Sequence, residues 1–280
     1  MRVGDVSIKS VNNLSIIGVL NVTPDSFYDG GRYATVEEAL RGVEELLSEG
    51  ADWIEVGGQS TGPKSKDVSV EEEIRRVIPV VEAIRKHFPA ARISVDTFQS
   101  EVAAKAIAAG AMMINDVTAG RGDPDMFSAI RDASVKLVLM HAKDATPRTT
   151  IQDVQYDDVV GTVKDFLTHR KSAALAAGIS SDRIILDPGL GHFVSSDATY
   201  SFEILERLRE FTELGCPVLV SPSRKSFLAG RENLPVVERL PGTIAASVIA
   251  ALNGAAHIRT HDVKEVKRGC EIALFTRRES

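Results

Sequence analysis

Short, nearly continuous apolar runs recur along the chain, and between them apolar residues fall at helical spacing. The runs are 16–20 (IIGVL), 53–56 (WIEV), 92–95 (RISV), 112–115 (MMIN), 136–140 (KLVLM), 183–186 (RIIL), 217–220 (PVLV) and 256–259 (AHIR). Runs this short and this apolar are what a parallel sheet covered on both faces requires. The stretch 36–47 carries apolar residues at 36, 39, 40, 43, 46 and 47, one face of a helix. A second helix is predicted over 70–84 behind Ser69 as its cap. Others are predicted near 100–109, 124–133, 156–177, 200–214, 242–253 and 263–275. Eight strand–helix units in unbroken rhythm favour closure as a single (β/α)8 barrel, an α/β fold, over an open doubly wound sheet. Residues 1–14 alternate as V-x-x-V-x-I and are expected to form a β-hairpin closing the barrel bottom. Nothing in the chain reads as a linker, so residues 1–280 are expected to form one domain.

Composition changes this picture little. The length of 280 residues suits one barrel with its connections. A net charge of −6 excludes a general basic surface for nucleic acid or acidic lipid, so any anion site must be local. The two cysteines, Cys216 and Cys270, have no metal-ligand spacing and make no disulfide framework, which suits a reducing compartment. The first residues lack an apolar signal core, and no run approaches the ~18 apolar residues of a membrane span. A soluble cytoplasmic protein without membrane partners is expected.

In a barrel of this kind, chemistry gathers where strands end, because the βα loops build one face. The loop after 16–20 begins at Asn21, and the loop after 53–56 reads GGQSTGPKSK. The third run ends at Asp96 and the fourth at Asn115 and Asp116. Met140 and His141 close the fifth, and DPGLGH (187–192) follows the sixth. SPSRKS (221–226) follows the seventh, and RTHD (259–262) closes the eighth. Each has a bland reading. Asp96 or Asp116 alone is as readily a helix cap, His261 alone is more often structural, and Gly57 and Gly58 serve turns. Their joint occurrence departs from that. Buried Asp96, Asn115 and Asp187 suit a flat, donor-rich heterocycle, each charge-assisted bond contributing about 1.5–3 kcal/mol. Lys225 offers a point charge to a ring carbonyl, while Arg259, His261 and the first loop suit a phosphate-type anion. Arg224, beside Lys225, is expected to point away into a structural salt bridge.

Taken in order, GVLNVTPDSFYDGG, EVGGQSTGP, ISVDTF, INDV, LMH, LDPGLG, SRKSFL and RTHDV resemble the dihydropteroate synthase family over about residues 15–265. The resemblance implies a pterin-binding barrel in folate biosynthesis. There p-aminobenzoate displaces diphosphate from 6-hydroxymethyl-7,8-dihydropterin diphosphate to give 7,8-dihydropteroate. Carried over motif by motif, it implies that Asp96, Asn115, Met140, Asp187, Lys225 and Arg259 bind the pterin. Asn21, Thr61, Arg259 and His261 would hold the diphosphate, with Asn21 a ligand to Mg2+. Phe27, Thr61, Pro63, Gly191, Phe193 and Ser226 would border p-aminobenzoate, Ser226 through the start of a helix. Lys225, Arg259, His261 and Asn21 would be catalytic. A homodimer formed through late helices, with 242–253 a candidate, is also implied.

Two segments depart from the family pattern. Where the strand-2 loop usually reads STRP, this chain has Ser60-Thr61-Gly62-Pro63, so a cation is missing that Lys64 or Lys66 would have to replace. After DPG, the usual GFGK is Gly191-His192-Phe193-Val194. Both resemble features of acquired sulfonamide-insensitive members, in which Phe193 would narrow the p-aminobenzoate site. Two other readings remain open: a non-catalytic paralogue, motivated by Gly62, and a pterin-binding methyltransferase barrel. SRKS and RTHD favour the synthase over the second.

Overall fold

The computed structural model describes residues 14–22, 35–63 and 65–276. Eight parallel strands run in the order β6-β5-β4-β3-β2-β1-β8-β7. They are β1 (Ser15–Asn21), β2 (Trp53–Gly57), β3 (Ile93–Asp96), β4 (Met113–Asp116), β5 (Lys136–Met140), β6 (Ile184–Asp187), β7 (Leu219–Val220) and β8 (His257–Thr260). A bridge between Leu186 and Val218 joins β6 to β7, so the sheet closes on itself. This is the (β/α)8 barrel that the alternation of strands and helices implies. The hairpin expected over 1–14 falls almost wholly on residues outside those described.

The helices are α1 (Val36–Ser48), α2 (Val70–His87), α3 (Ser100–Ala109), α4 (Met126–Arg131), α5 (Val159–Ala176), α6 (Ala198–Glu206), α7 (Arg209–Thr212), α8 (Leu240–Leu252) and α9 (Val263–Thr276). Local chemistry starts two of them firmly. Thr35 and Glu38 form a capping box at α1, and the Ser69 hydroxyl accepts from the Glu72 amide at α2. Pro79 stands inside α2. It is exposed, so the backbone carbonyl it leaves unpaired one turn earlier can reach water, and the helix continues. The single helix expected over 200–214 is instead α6 and α7. Arg207 leaves helical geometry at φ −94°, ψ 18°, and its guanidinium bonds Asp158, Glu203 and Glu210.

Strand register places alternate residues inside the barrel. Ile17 pairs with Trp53, Ser94 with Met113, Val138 with Ile185, and Ile17 also with Arg259. Ile17, Trp53, Met113, Val138, Ile185 and Leu219 pack into one buried apolar layer. Two residues further along the same strands come Val19, Glu55, Asn115, Met140 and Asp187; Ser94 pairs with Glu55, and Arg259, whose backbone pairs with Ile17, extends its side chain to Glu55 and Asp96. The interior therefore changes from an apolar plug to a polar layer within one side-chain step. The other face of each strand meets the helices. Gly18 on β1 shows how closely: a Cβ there would lie 3.0 Å from Val263, 3.1 Å from Leu46 and 3.3 Å from Ala51.

Candidate functional site

The polar layer centres on Arg259. Its guanidinium donates to Glu55 and, at 2.9 Å, to Asp96. Glu55 is fully buried and also accepts from Ser94 at 3.1 Å and from the Asn115 amide at 3.3 Å. Burial opposes charge on Arg259, but Glu55 and Asp96 more than offset it and raise its pKa. Burial pushes Asp96 up to about 7, with Arg259 opposing and Glu55 reinforcing the shift. Asp187, 2% exposed, is pushed up to about 6 by burial, opposed by Lys225. Lys225 is lowered to about 8 by burial, with Asp187 opposing. Two acids and one base thus titrate close to neutrality, a pattern that gathers at functional sites.

The backbone explains why these groups face the mouth. Asp187 ends β6, and its carboxylate accepts from the Gly189 amide at 2.8 Å. Gly189 has φ +70°, and a Cβ there would lie 2.4 Å from the His141 carbonyl oxygen. Only glycine makes that turn. Lys225 reaches back to the Leu190 carbonyl at 3.3 Å, and its ammonium lies 5.0 Å from the centre of the Phe193 ring. Phe193 packs in turn against Val117, Met140 and Ala142, beside Phe98. Asn115 is 3% exposed, and its amide oxygen has no hydrogen-bond partner among the described residues. A buried acceptor left open in this way is a place for a ligand N–H.

On the opposite rim, the Asn21 amide nitrogen is 3.4 Å from His261 Nε2, and Ser223 Oγ is 3.1 Å from His261 Nδ1. Burial and then Arg259 lower His261 to about 4. The imidazole is therefore neutral at pH 7, so any anion contact from it is a hydrogen bond and not a charge pair. Arg224 points away, as the sequence implies, donating to Asp262 at 2.6 and 2.9 Å and to the Val236 and Val237 carbonyls. The helix start expected at Ser226 is a four-residue 3-10 turn, Ser226–Ala229, too short to carry a helix dipole. Asp116, the other strand-end acid, is taken up by its own turn: it accepts from Thr118 and Gly120.

Asp96, Asn115, Met140, Asp187, Lys225 and Arg259 thus share one mouth, with Asn21 and His261 on its rim. Thr61, half-buried, and Pro63, exposed, stand on the loop after β2, and Gly191, Phe193 and Ser226 on the loops after β6 and β7. Phe27 and Lys64 lie outside the described residues; Lys66 is exposed. Two further residues do not stand out in the motifs. Glu55 has a visible signal, being the one charge in an apolar run, at the inward parity of Trp53 and Gly57. Arg148 has none: it comes from the loop after β5 and donates to Ser65 at 2.9 Å and Asp67 at 2.7 Å on the β2 loop. It brings a cation from the β5 loop to the β2 loop, where Gly62 leaves one missing.

The chain is similar to known proteins over nearly its whole length. A family model described as "Pterin binding enzyme" matches residues 17–261. A dihydropteroate synthase from Clostridium beijerinckii is 37% identical over 273 residues, covering 97% of each chain. A crystal structure of the Yersinia pestis dihydropteroate synthase with a sulfonamide drug complex superposes with a TM-score of 0.91, at 36% identity and 97% coverage of each chain. The Xanthomonas albilineans dihydropteroate synthase with 4-aminobenzoic acid superposes with a TM-score of 0.87, at 40% identity over 96% of this chain and 95% of that one.

Proposed function

The chain belongs to the dihydropteroate synthase family of pterin-binding enzymes, and on that premise we propose how its residues divide the reaction. It is a transferase of folate biosynthesis that joins p-aminobenzoate to 6-hydroxymethyl-7,8-dihydropterin diphosphate, releasing diphosphate. The pterin ring enters the polar layer, its N–H groups donating to Asp96, Asn115 and Asp187 and its carbonyl accepting from Lys225. Met140 lines the slot, and Arg259 lies along the ring. One observation carries this reading: the buried carboxylate of Asp187, the partly buried carboxylate of Asp96 and the open carboxamide of Asn115 face the Lys225 ammonium at the barrel mouth.

The arylamine nitrogen attacks the exocyclic methylene as the carbon–oxygen bond to diphosphate breaks. The electrons of that bond leave with the diphosphate, and the amine then loses a proton to solvent. An arylamine is a weak nucleophile, so the barrier falls mainly by stabilising charge separation. Asp96, Asp187 and Glu55 favour positive charge developing on the ring. Arg259, and hydrogen bonds from Asn21, Thr61 and neutral His261, receive the departing anion.

Mg2+ fits this arrangement. The Asn21 amide nitrogen faces His261, which leaves its oxygen as a hard donor. Among the described residues no group of three His, Cys, Asp or Glu forms a cage, and Mg2+ ordinarily takes most of its ligands from phosphate and water. Bound with the diphosphate, the ion supplies charge neutralisation to the leaving group.

p-Aminobenzoate lies between the β2 loop, with Thr61 and Pro63, and the loops after β6 and β7, with Gly191, Phe193 and Ser226; Phe27, after β1 in sequence, joins this set through the family resemblance. Phe193, packed over Lys225, narrows this cleft against the bulkier sulfonamides. For Phe193→Gly we expect the ratio of the sulfonamide inhibition constant to the p-aminobenzoate KM to fall; an unchanged ratio removes Phe193 from drug selection. The whole chain, 1–280, acts as one cytoplasmic pterin-binding domain and pairs as a homodimer through α8 and α9, where Ile249, Ile272 and Phe275 are 44%, 60% and 57% exposed. The deciding assay supplies purified protein with the dihydropterin diphosphate, p-aminobenzoate and Mg2+. Stoichiometric dihydropteroate and diphosphate support the reading, and pterin binding without turnover overturns it.

A further inference from the structure

The loop after β5 reaches both walls of the cleft assigned above to p-aminobenzoate. Thr149 is 3% exposed. Its amide donates to the Thr61 carbonyl oxygen at 3.1 Å, on one wall. Its hydroxyl oxygen lies 2.7 Å from the His192 carbonyl oxygen, on the other wall, and 2.9 Å from the Asp144 carboxylate. One residue therefore touches the residue on either side of the gap. Two further links run in parallel. The Lys143 amide donates to the Phe193 carbonyl oxygen at 2.8 Å. Arg148 holds Ser65 and Asp67 on the β2 loop at 2.9 and 2.7 Å.

The segment between these ties is stiffened from within. The Lys143 side chain, 5% exposed, pairs with Asp144 at 2.5 Å and donates to the Thr150 carbonyl oxygen at 2.9 Å. Asp144 also accepts from the Thr150 amide at 3.0 Å and from its hydroxyl at 2.7 Å. Arg121 clamps the base of the loop through the carbonyl oxygens of Ala142 and Asp144, at 2.9 and 3.0 Å. A buried ion pair with its remaining hydrogen-bonding capacity satisfied makes a rigid unit. Loops that carry substrate contacts lose precision when nothing holds them apart at a fixed width.

We propose that residues 143–150 form a brace that sets the width of the p-aminobenzoate cleft, with Thr149 as its node and Arg148 as its outer tie. Both are positioning residues, acting through Thr61 and through the turn bearing Phe193. The inference rests on the assignment of that cleft. It predicts a split in kinetic constants: the brace touches the arylamine side, while the polar layer that takes the pterin is built on β2–β4, β6 and β8.

The test measures kcat and both KM values for Thr149→Val, Thr149→Ser, Arg148→Ala and Arg148→Lys. Thr149→Val keeps the shape and removes the hydroxyl. It should raise the p-aminobenzoate KM about tenfold, the size of one buried hydrogen bond lost, and leave the dihydropterin diphosphate KM within about twofold. Thr149→Ser should restore it. Arg148→Ala, whose partner Asp67 is 93% exposed, should fold normally and raise the same KM about threefold, with Arg148→Lys recovering part. General loss of folded enzyme would lower kcat and leave both KM values alone. Unchanged constants, equal shifts in both KM values, or no rescue by serine overturn the brace. Failure of the underlying reading looks different, since the unaltered protein would then make no dihydropteroate.

Discussion

Lys225 carries opposing demands. It must be charged to hold a ring carbonyl, yet burial lowers it to about 8, and its acidic counterpart Asp187 is raised to about 6. The signs give a bell. As pH falls through about 7 and then about 6, Asp96 and then Asp187 take up protons and become poorer acceptors for the pterin. As pH rises above about 8, Lys225 loses its charge. The kcat/KM for the dihydropterin diphosphate should therefore peak between these limits. Lys225→Arg should shift the alkaline limb beyond pH ~10, because guanidinium does not titrate below pH ~12. Lys225→Ala should lower kcat/KM by ~10–100-fold with unchanged circular dichroism, the worth of one charge-assisted bond. An alkaline limb that stays in place with arginine would mean that another group sets it. Motif order alone makes Asp96, Asn115, Asp187, Lys225 and Arg259 legible in the sequence, because each ends a strand or stands in the turn after one. What the letters do not carry is partnership. Nothing in the sequence joins Arg259 to Glu55, which lie 204 positions apart and meet only through barrel closure.

At the scale of elements, start signals are easier to read than stops. The cap at Ser69 sits where the sequence puts it, and its hydroxyl accepts the Glu72 amide at 3.2 Å. Ser69→Ala should cost ~1 kcal/mol in urea unfolding with little change in KM, since the helix behind it is long and anchored by Val77, Val80, Val81 and Ile84. A larger change in the p-aminobenzoate KM than in stability would mean that the cap also sets the β2 loop. Strand ends are harder to read. Strands β3 and β4 end at Asp96 and Asp116 as the sequence has it, whereas β6 and β8 run one residue past their apolar runs and include Asp187 and Thr260, so there the chemistry begins on the last strand residue and not after it. Apolarity marks the buried core of a strand, while the ladder continues wherever a neighbour can still pair. The division of 200–214 into two helices is hidden for a related reason. Periodicity is blind to an arginine whose three acidic partners reward a break in the helix.

Across the whole molecule, the barrel interior exchanges stability for a site. Below the polar layer lies a plug of Ile17, Trp53, Met113, Val138, Ile185 and Leu219, which gains from burial in the ordinary way. Above it, ionised carboxylates stand where water cannot solvate them fully. The sign of their effect follows from linkage. Asp96 has a folded pKa of about 7, raised by burial from its ordinary 3.8. A group with a raised folded pKa contributes stability that is fully present below its unfolded pKa and is lost as pH rises through the folded value. The ligand-free protein should therefore lose this contribution between about pH 4 and pH 7. Asp96→Asn removes the titration while keeping the shape. Relative to the unaltered protein, the variant should gain on the order of a few kcal/mol in unfolding free energy between about pH 4.5 and pH 8. It should also lose pterin affinity, because an amide is a weaker acceptor than a carboxylate. Urea unfolding of both proteins across this range reads the difference, which includes the response of Arg259 and Lys225, the charged neighbours of Asp96. A stability difference that is flat with pH would show that Arg259 neutralises Asp96 completely, and the polar layer would then carry no stored cost for the substrate to relieve.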